Sequence, residues 1–253
     1  SNVLQTGDDD IATVDQSETA PGGVGTNVST VKQLGGWGVQ TATVDQNYDG
    51  TGAANVASIL QDATEGGNTG SITQNGDAND AAIQQGPGDV DFFNAPLGIR
   101  DNSASIAQDG SGNFATTNQI VGSDGGNRNT ADTSQTGDVN IATIDQGTGT
   151  DPFNSGASND NDNAAFITQD GTANDSSINQ GGELGFASST QFGTGNTSEI
   201  VQSGGDPVFF VVGNDATVIQ DGENNSSFVT QSSAHGDLPL VPAGAVAEVT
   251  QTG

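Results

Sequence analysis

One heptad organises this chain, and its clearest copy is Asn140-Ile-Ala-Thr-Ile-Asp-Gln146. Asn140, Ala142, Ile144 and Gln146 lie two residues apart, and residues at that spacing in an extended strand point to one face of the sheet. One face therefore carries an amide, a small residue, a β-branched residue and a second amide. The heptad recurs about seventeen times along the 253 residues, so this repeat decides the fold class.

The copies of the heptad are recognised most easily by their last residue, which is Gln. Seventeen of the 20 Gln residues end a copy, and the apolar position is Val or Ile in all but two copies, which have Thr117 and Thr133. The first position is Asn in 13 of the 16 complete copies. The heptads end at Gln5, Gln16, Gln33, Gln46, Gln61, Gln74, Gln85, Gln108, Gln119, Gln135, Gln146, Gln169, Gln180, Gln202, Gln220, Gln231 and Gln251.

The spacing of the heptad favours strands over helices. Its period is two rather than 3.6, and β-branched residues occupy its apolar position. Apolar residues make up only 31% of the chain, which is too little for an ordinary globular core. A composition rich in Gly, Asn, Asp and Ser would by itself suggest disorder, but a disordered polar sequence does not keep a register.

Two kinds of connection link the heptads. Short connections read Gln-x-Gly-x-x-Asn, whereas long ones, such as 86–101, 147–162 and 181–195, are predicted to be surface loops. Their alternation predicts coils of two strands, with the short arcs changing edge near Asn55–Gln61 and again near Asn196–Gln202. The glycines of the short arcs are expected at positive φ, and they are Gly76, Gly110, Gly137, Gly171 and Gly222.

These patterns predict an all-β chain in which residues 1–253 form a single two-sheet parallel β-solenoid of roughly eight or nine coils and about 17 short strands. Coils about 4.8 Å apart would let identical amides hydrogen-bond along the stack as ladders. Because the terminal heptads stay in register, we expect head-to-tail stacking into an amyloid-like filament. The predicted ladder residues are the seventeen Gln residues with Asn79, Asn113, Asn140, Asn174 and Asn225.

The net charge of −29 limits the possible partners, because such a chain repels nucleic acids and anionic membranes. No apolar run approaches the ~20 residues of a membrane-spanning helix, so no membrane insertion is expected. Cys is absent and His235, the only His, lies in a predicted loop, so we expect no catalytic site, no enzyme activity and no cofactor. Stacked carboxylates would repel one another, and we expect salt or a divalent cation such as calcium to promote assembly.

The repeat resembles the curlin repeat of bacterial curli subunits. Residues Asn129 to Gln146 follow the pattern Ser/Asn-x-Ala-x-Ile/Val-x-Gln-x-Gly-x-x-Asn-x-Ala-x-Val/Ile-x-Gln, with Thr133 at one apolar position. The resemblance covers nearly the full chain. It implies a secreted functional amyloid of a biofilm matrix, a self-assembled fibre at the cell surface. It also implies a nucleating subunit, secretion chaperones and an outer-membrane pore as partners. The Fap type, another amyloid family with Gln/Asn repeats, stays open, although its pair of Cys residues is missing here.

Two other classes of function compete with the fibre subunit. A monomeric β-solenoid adhesin or surface binder would need a flat outward array of one residue type, whereas the outward positions here are mixed. A solenoid enzyme acting on carbohydrates would need clustered acids with basic or aromatic residues, but the chain has three Lys and Arg residues and one Trp. Outward apolar residues such as Phe114, Ile141, Phe166 and Phe228 could associate filaments laterally.

Overall fold

The computed structural model describes residues 1–7, 9–18, 26–48, 52–65, 67–87, 102–121, 128–147, 162–182, 184–204, 213–233 and 244–253. Eighteen strands and no helix occur in these ranges, and they form two parallel sheets of nine strands each. The first, called the odd sheet, contains β1 (Asn2–Gln5), β3 (Val28–Trp37), β5 (Val56–Glu65), β7 (Asp80–Pro87), β9 (Phe114–Val121), β11 (Ile141–Gln146), β13 (Asp175–Gln180), β15 (Thr197–Gly204) and β17 (Ser226–Ser233).

The second sheet, called the even sheet, contains the alternate strands of the chain. Each strand pairs in parallel with the strand two places later in sequence, so every coil contributes one strand to each sheet. The members are β2 (Ile11–Glu18), β4 (Thr41–Tyr48), β6 (Thr69–Asp77), β8 (Ser103–Ser111), β10 (Thr130–Asp138), β12 (Ala164–Thr172), β14 (Phe186–Thr194), β16 (Asp215–Glu223) and β18 (Val246–Thr252). The predicted two-sheet parallel solenoid is confirmed, with nine coils.

The heptads of neighbouring coils align residue by residue. On β10 and β12, for example, Ala131 pairs with Ala165 and Gln135 pairs with Gln169. A slip of one residue would turn every inward side chain outward, so this register keeps each residue type in a straight column along the stack.

The core is a narrow apolar strip between the two sheets. The Ala and the Val or Ile of each heptad point into it, and those of the inner coils are almost wholly buried. The two sheets pack closely: a Cβ added at Gly70 would lie only 3.1 Å from Cγ2 of Ile59 on the facing strand. Small and large inward residues therefore alternate across the strip.

One predicted loop is a strand. Residues 181–195, expected to be a loop, contain β14, whose heptad has Gly185 at its first position and Ser189 at its apolar position. Parallel pairing with β12 and β16 holds these residues as a strand despite the weak heptad. The second predicted change of edge, near Asn196–Gln202, is therefore wrong, because the short arc after Gln191 joins β14 to β15 in the usual direction.

The first predicted change of edge is present. The arc after Gln5 joins the odd strand β1 to the even strand β2, whereas the short arcs from the one after Gln74 onward join even strands to odd strands.

Candidate functional site

Two straight columns of Gln amides run through the whole stack, one in each sheet. Sixteen bonds of 2.7 to 3.0 Å join Nε2 of one Gln to Oε1 of the next Gln, without a break from β1 to β17 and from β2 to β18. The donor always belongs to the earlier coil. All seventeen Gln residues predicted from the sequence lie in these columns.

The second N–H of the inner ladder amides joins the two sheets. Nε2 of Gln146 on β11 also donates to the backbone carbonyl of Thr130 on β10, at 3.0 Å. In the opposite direction, Nε2 of Gln135 on β10 donates to the carbonyl of Phe114 on β9, at 3.0 Å. One buried Gln therefore satisfies groups in the next coil and in the facing sheet, a role that Glu cannot take because its carboxylate has no N–H.

Sequence reasoning missed one ladder residue, Gln191, together with its arc glycine, Gly193. Gln191 is wholly buried, accepts from Gln169 at 2.9 Å and donates to Gln220 at 2.8 Å. The pattern Gln191-x-Gly193-x-x-Asn196 was the available signal, because it repeats the short arc even though the preceding heptad lacks Asn and Ile.

The Asn columns differ from the amide ladder that the sequence predicts. Oδ1 of Asn113 accepts from the backbone N–H of Asn140 in the next coil at 3.0 Å, and its Nδ2 donates to the carbonyl of Gly137 at 2.8 Å. The same pattern recurs at Asn79, Asn140 and Asn174. Asn225 lies at the end of its column, where its Nδ2 donates to the backbone carbonyl of Asp221. Asn therefore ties each arc to the backbone of the next coil, a reach that suits its shorter side chain.

The arc glycines stack directly on one another. Gly76, Gly110, Gly137, Gly171 and Gly222 all have φ between 95° and 133°, as predicted. A Cβ on Gly137 would collide with the backbone carbonyl oxygen of Gly171, and the other glycines of the column are obstructed in the same way. Both the positive φ and the close approach of the next coil therefore require glycine at this position.

No protein-family model matches this sequence, and a search of curated proteins found no match.

The apolar strip has a polar interruption in the middle coil. Thr117 on β9 and Thr133 on β10 occupy the position that Val or Ile fills in other coils, and both are wholly buried. Their hydroxyl oxygens have no hydrogen-bond partner among the described residues, and Ser189 on β14 shares this property. Buried hydroxyls without partners destabilise a fold, so each of these three positions weakens the strip.

The outward faces carry most of the charge. Burial raises the pKa of Asp62, Asp80 and Asp175, all on the odd sheet. Asp80 pairs with Val56 and Phe114 on the adjacent strands, so apolar neighbours disfavour its ionised form. Arg128 forms an ion pair of 2.8 Å with Asp162, which joins successive coils on the even-sheet side.

Among the described residues, no group of three or more His, Asp or Glu side chains is placed to hold a metal ion. Within the same ranges, no helix has the length and apolar character needed to cross a membrane. His235 and Arg100 lie outside the described residues, as do most of the loops 86–101 and 147–162. The expectation that calcium or salt promotes assembly stays a prediction, as does the absence of enzyme activity.

Proposed function

We propose that this chain is the structural subunit of an extracellular, curli-like functional amyloid fibre, built by stacking the last coil of one molecule on the first coil of the next. The observation that supports the proposal is the common direction of the Gln ladders. On the last coil, Nε2 of Gln251 donates to the carbonyl of Ser226 and to no other described residue, so a second N–H is available. On the first coil, Oε1 of Gln5 and Gln16 accepts no hydrogen bond from the described residues. A donor end therefore faces an acceptor end when two molecules meet head to tail.

The two end coils also match in residue type. With Gln251 above Gln16, Val249 lies above Val14 and Ala247 above Ala12, which repeats the inward pattern of every other step in the even sheet. On the odd sheet the same register places Gln231 above Gln5. Addition of a molecule would then continue the core strip and both amide columns, and it would pair backbone groups that the edge strands leave unpaired.

Exposed apolar side chains concentrate at the same ends. Val246 on β18 is 80% exposed and Phe228 on β17 is 65% exposed, the two highest values among the large hydrophobic residues described. Ile11 on β2 is also exposed, and the proposed register places it against Val246. Stacking would remove part of this surface from water and so stabilise the contact.

The location and partners of the fibre are proposed from the resemblance to the curlin repeat. We place the fibre outside the cell in a biofilm matrix, where its role is adhesion and structural support. A nucleating subunit, secretion chaperones and an outer-membrane pore are the partners that the resemblance suggests. The net charge of −29 opposes the approach of two molecules, so assembly should be faster in salt.

A substitution at the last coil tests the stacking proposal. Gln251→Glu, at a half-buried position, removes the outgoing N–H donor of the even-sheet column and loses one bond to the carbonyl of Ser226, while Gln220 can still donate to the new carboxylate. The variant should fold, add through its first coil to the end of a wild-type filament, and then stop growth. Substoichiometric amounts should therefore shorten wild-type filaments in electron micrographs, whereas Gln84→Glu, on an outward position of β7, should not. The proposal fails if the folded Gln251→Glu variant forms filaments as readily as wild type.

A further inference from the structure

Three phenylalanine rings interrupt the polar outward face of the even sheet: Phe166 and Phe186 form a pair, and Phe192 lies about 20 Å further along β14. The ring centroids of Phe166 on β12 and Phe186 on β14 are 5.7 Å apart, with a 40° angle between the ring planes. Phe186 and Phe192, at the two ends of β14, are 40% and 41% exposed. Large aromatic side chains grouped on an exposed face of a soluble protein mark an interaction surface.

Each of the three rings has a carboxylate beside it on the neighbouring strand. Asp132 pairs with Phe166, and Asp215 pairs with Phe186. Phe192 lies between Asp170 and Asp221. Paired residues on adjacent strands are about 5 Å apart, so a group resting on a ring also reaches a carboxylate. None of the outward positions on the described strands of the even sheet carries Lys or Arg.

Hydroxyl groups fill the space between the rings. Ser188 and Thr190 lie on β14 between Phe186 and Phe192, and Thr168 pairs with Thr190 from β12. The surface thus combines aromatic rings, carboxylates and hydroxyls on three adjacent parallel strands.

We propose that this surface, formed by the outward side chains of β12, β14 and β16, binds a β-linked amino polysaccharide with free ammonium groups. The C–H faces of pyranose rings pack on aromatic rings, and an ammonium group near a ring gains a cation–π attraction as well as pairing with a carboxylate. Sugar hydroxyls would bond to the Ser and Thr side chains. The negative charge of the face selects a cationic polymer over a neutral or anionic one.

The position of the surface on interior strands favours a polysaccharide over a basic peptide. An extended peptide gains affinity by adding a strand to the edge of a sheet, but β14 is an interior strand whose backbone groups are paired with β12 and β16. A flat ribbon of sugar rings needs no such edge and can contact several side chains at once.

The surface does not depend on fibre formation. It lies on the flank of the sixth to eighth coils, so end-to-end stacking leaves it open. Binding measured on protein that size-exclusion chromatography shows to be monomeric therefore tests this surface alone, and a failure there would leave the stacking proposal untouched.

Titration calorimetry with a β-1,4-linked glucosamine hexamer gives the direct test. We expect binding that weakens with salt, and affinity lower by about tenfold or more in Phe166→Ala/Phe186→Ala/Phe192→Ala. Phe114→Ala with Phe228→Ala, which removes outward rings of the odd sheet, should leave affinity within about twofold. The fully N-acetylated hexamer and oligogalacturonate should bind more weakly than the glucosamine hexamer.

A second variant, Asp170→Asn with Asp221→Asn, keeps the three rings. It tests the surface even if the triple Phe variant does not fold. It should weaken binding of the glucosamine hexamer and reduce its salt dependence. Unchanged affinity in both folded variants would overturn the proposal. Hexalysine that binds as tightly, with the same sensitivity to the Phe substitutions, would also overturn it by assigning the surface to basic peptides.

Discussion

Gln146 and Gln180 are 34 residues apart in the sequence, and Nε2 of Gln146 lies 2.9 Å from Oε1 of Gln180. The same Nε2 donates to the carbonyl of Thr130 in the facing sheet. Gln146 is wholly buried, so each of these groups would lack water if the amide were removed. Bonds of this kind recur in every coil. They fix the register of the strands, which such a thin apolar strip would define poorly.

Gln146→Glu should therefore destabilise the fold by about 3 kcal/mol or more, because it buries a carboxylate that cannot donate to either partner. Gln84→Glu makes the same chemical change at an exposed position of β7 and should alter the free energy of unfolding by no more than about 0.5 kcal/mol. Urea denaturation followed by circular dichroism measures both. Equal effects of the two substitutions would mean that the ladder adds nothing to stability.

The stacked glycine arcs give a second prediction, which concerns the replacement of an arc glycine by alanine. Gly137→Ala should cost about 3 kcal/mol, since φ is 100° and the new Cβ meets the carbonyl of Gly171. Gly86→Ala is the matched control, because its Cβ would make only ordinary contacts with Asp62 and its φ is not in the positive region.

The same arc contains Val139 at φ 57°, a conformation that β-branched residues rarely adopt. The equivalent positions in two other arcs are Gly112 and Gly195. Val139→Gly should therefore stabilise the protein by about 0.5–1 kcal/mol despite the added freedom of the unfolded chain. A lower midpoint of thermal unfolding would contradict this explanation.

The polar interruption of the core predicts a gain of stability from conservative substitutions. Thr117→Val and Thr133→Val keep the side-chain shape and remove hydroxyls that have no described partner, so each should stabilise by about 1 kcal/mol. Thr143→Val, at an outward position of β11, should have little effect. If the core substitutions destabilise the fold instead, the hydroxyls have partners, for example buried water.

The raised pKa values on the odd sheet set the sign of a pH dependence. A carboxyl whose pKa is higher in the folded state binds its proton more tightly there. Its contribution to stability is therefore fully present below the unfolded pKa of 3.8 and is lost as pH rises through the folded pKa. The thermal midpoint should therefore rise on acidification toward pH 4. Asp80→Asn with Asp175→Asn should flatten that slope, whereas Ser177→Ala should not. A slope that stays unchanged in the double variant would assign the effect to the net charge alone.

The sequence predicts the architecture well because the determinant is local and repeated. Gln at the end of each heptad and Gly in each arc need no tertiary information to be recognised, and both lie where the period of two requires. Ser189 and Gly185 show the limit: their strand is held by its neighbours rather than by its own residues, so the pattern alone assigned it to a loop.

The bonding of Asn113 shows a second limit. Asn and Gln share an amide, and the repeat cannot distinguish an amide partner from a backbone partner. The difference depends on reach, since Asn lies at the arc, where the backbone N–H of the next coil is nearer than the next amide. The aromatic pair was likewise hidden, because Phe166 and Phe186 come together only through the pairing of β12 with β14.

Electron cryomicroscopy of filaments grown from the purified chain tests the central claim most directly. Nine coils at the spacing of strands in a sheet predict an axial rise of about 43 Å per molecule, with strands about 4.8 Å apart and perpendicular to the axis. Density should be continuous from Gln251 of one molecule to Gln16 of the next. Filaments with strands along the axis or antiparallel contacts between molecules, or a protein that stays monomeric at all concentrations, would contradict the account.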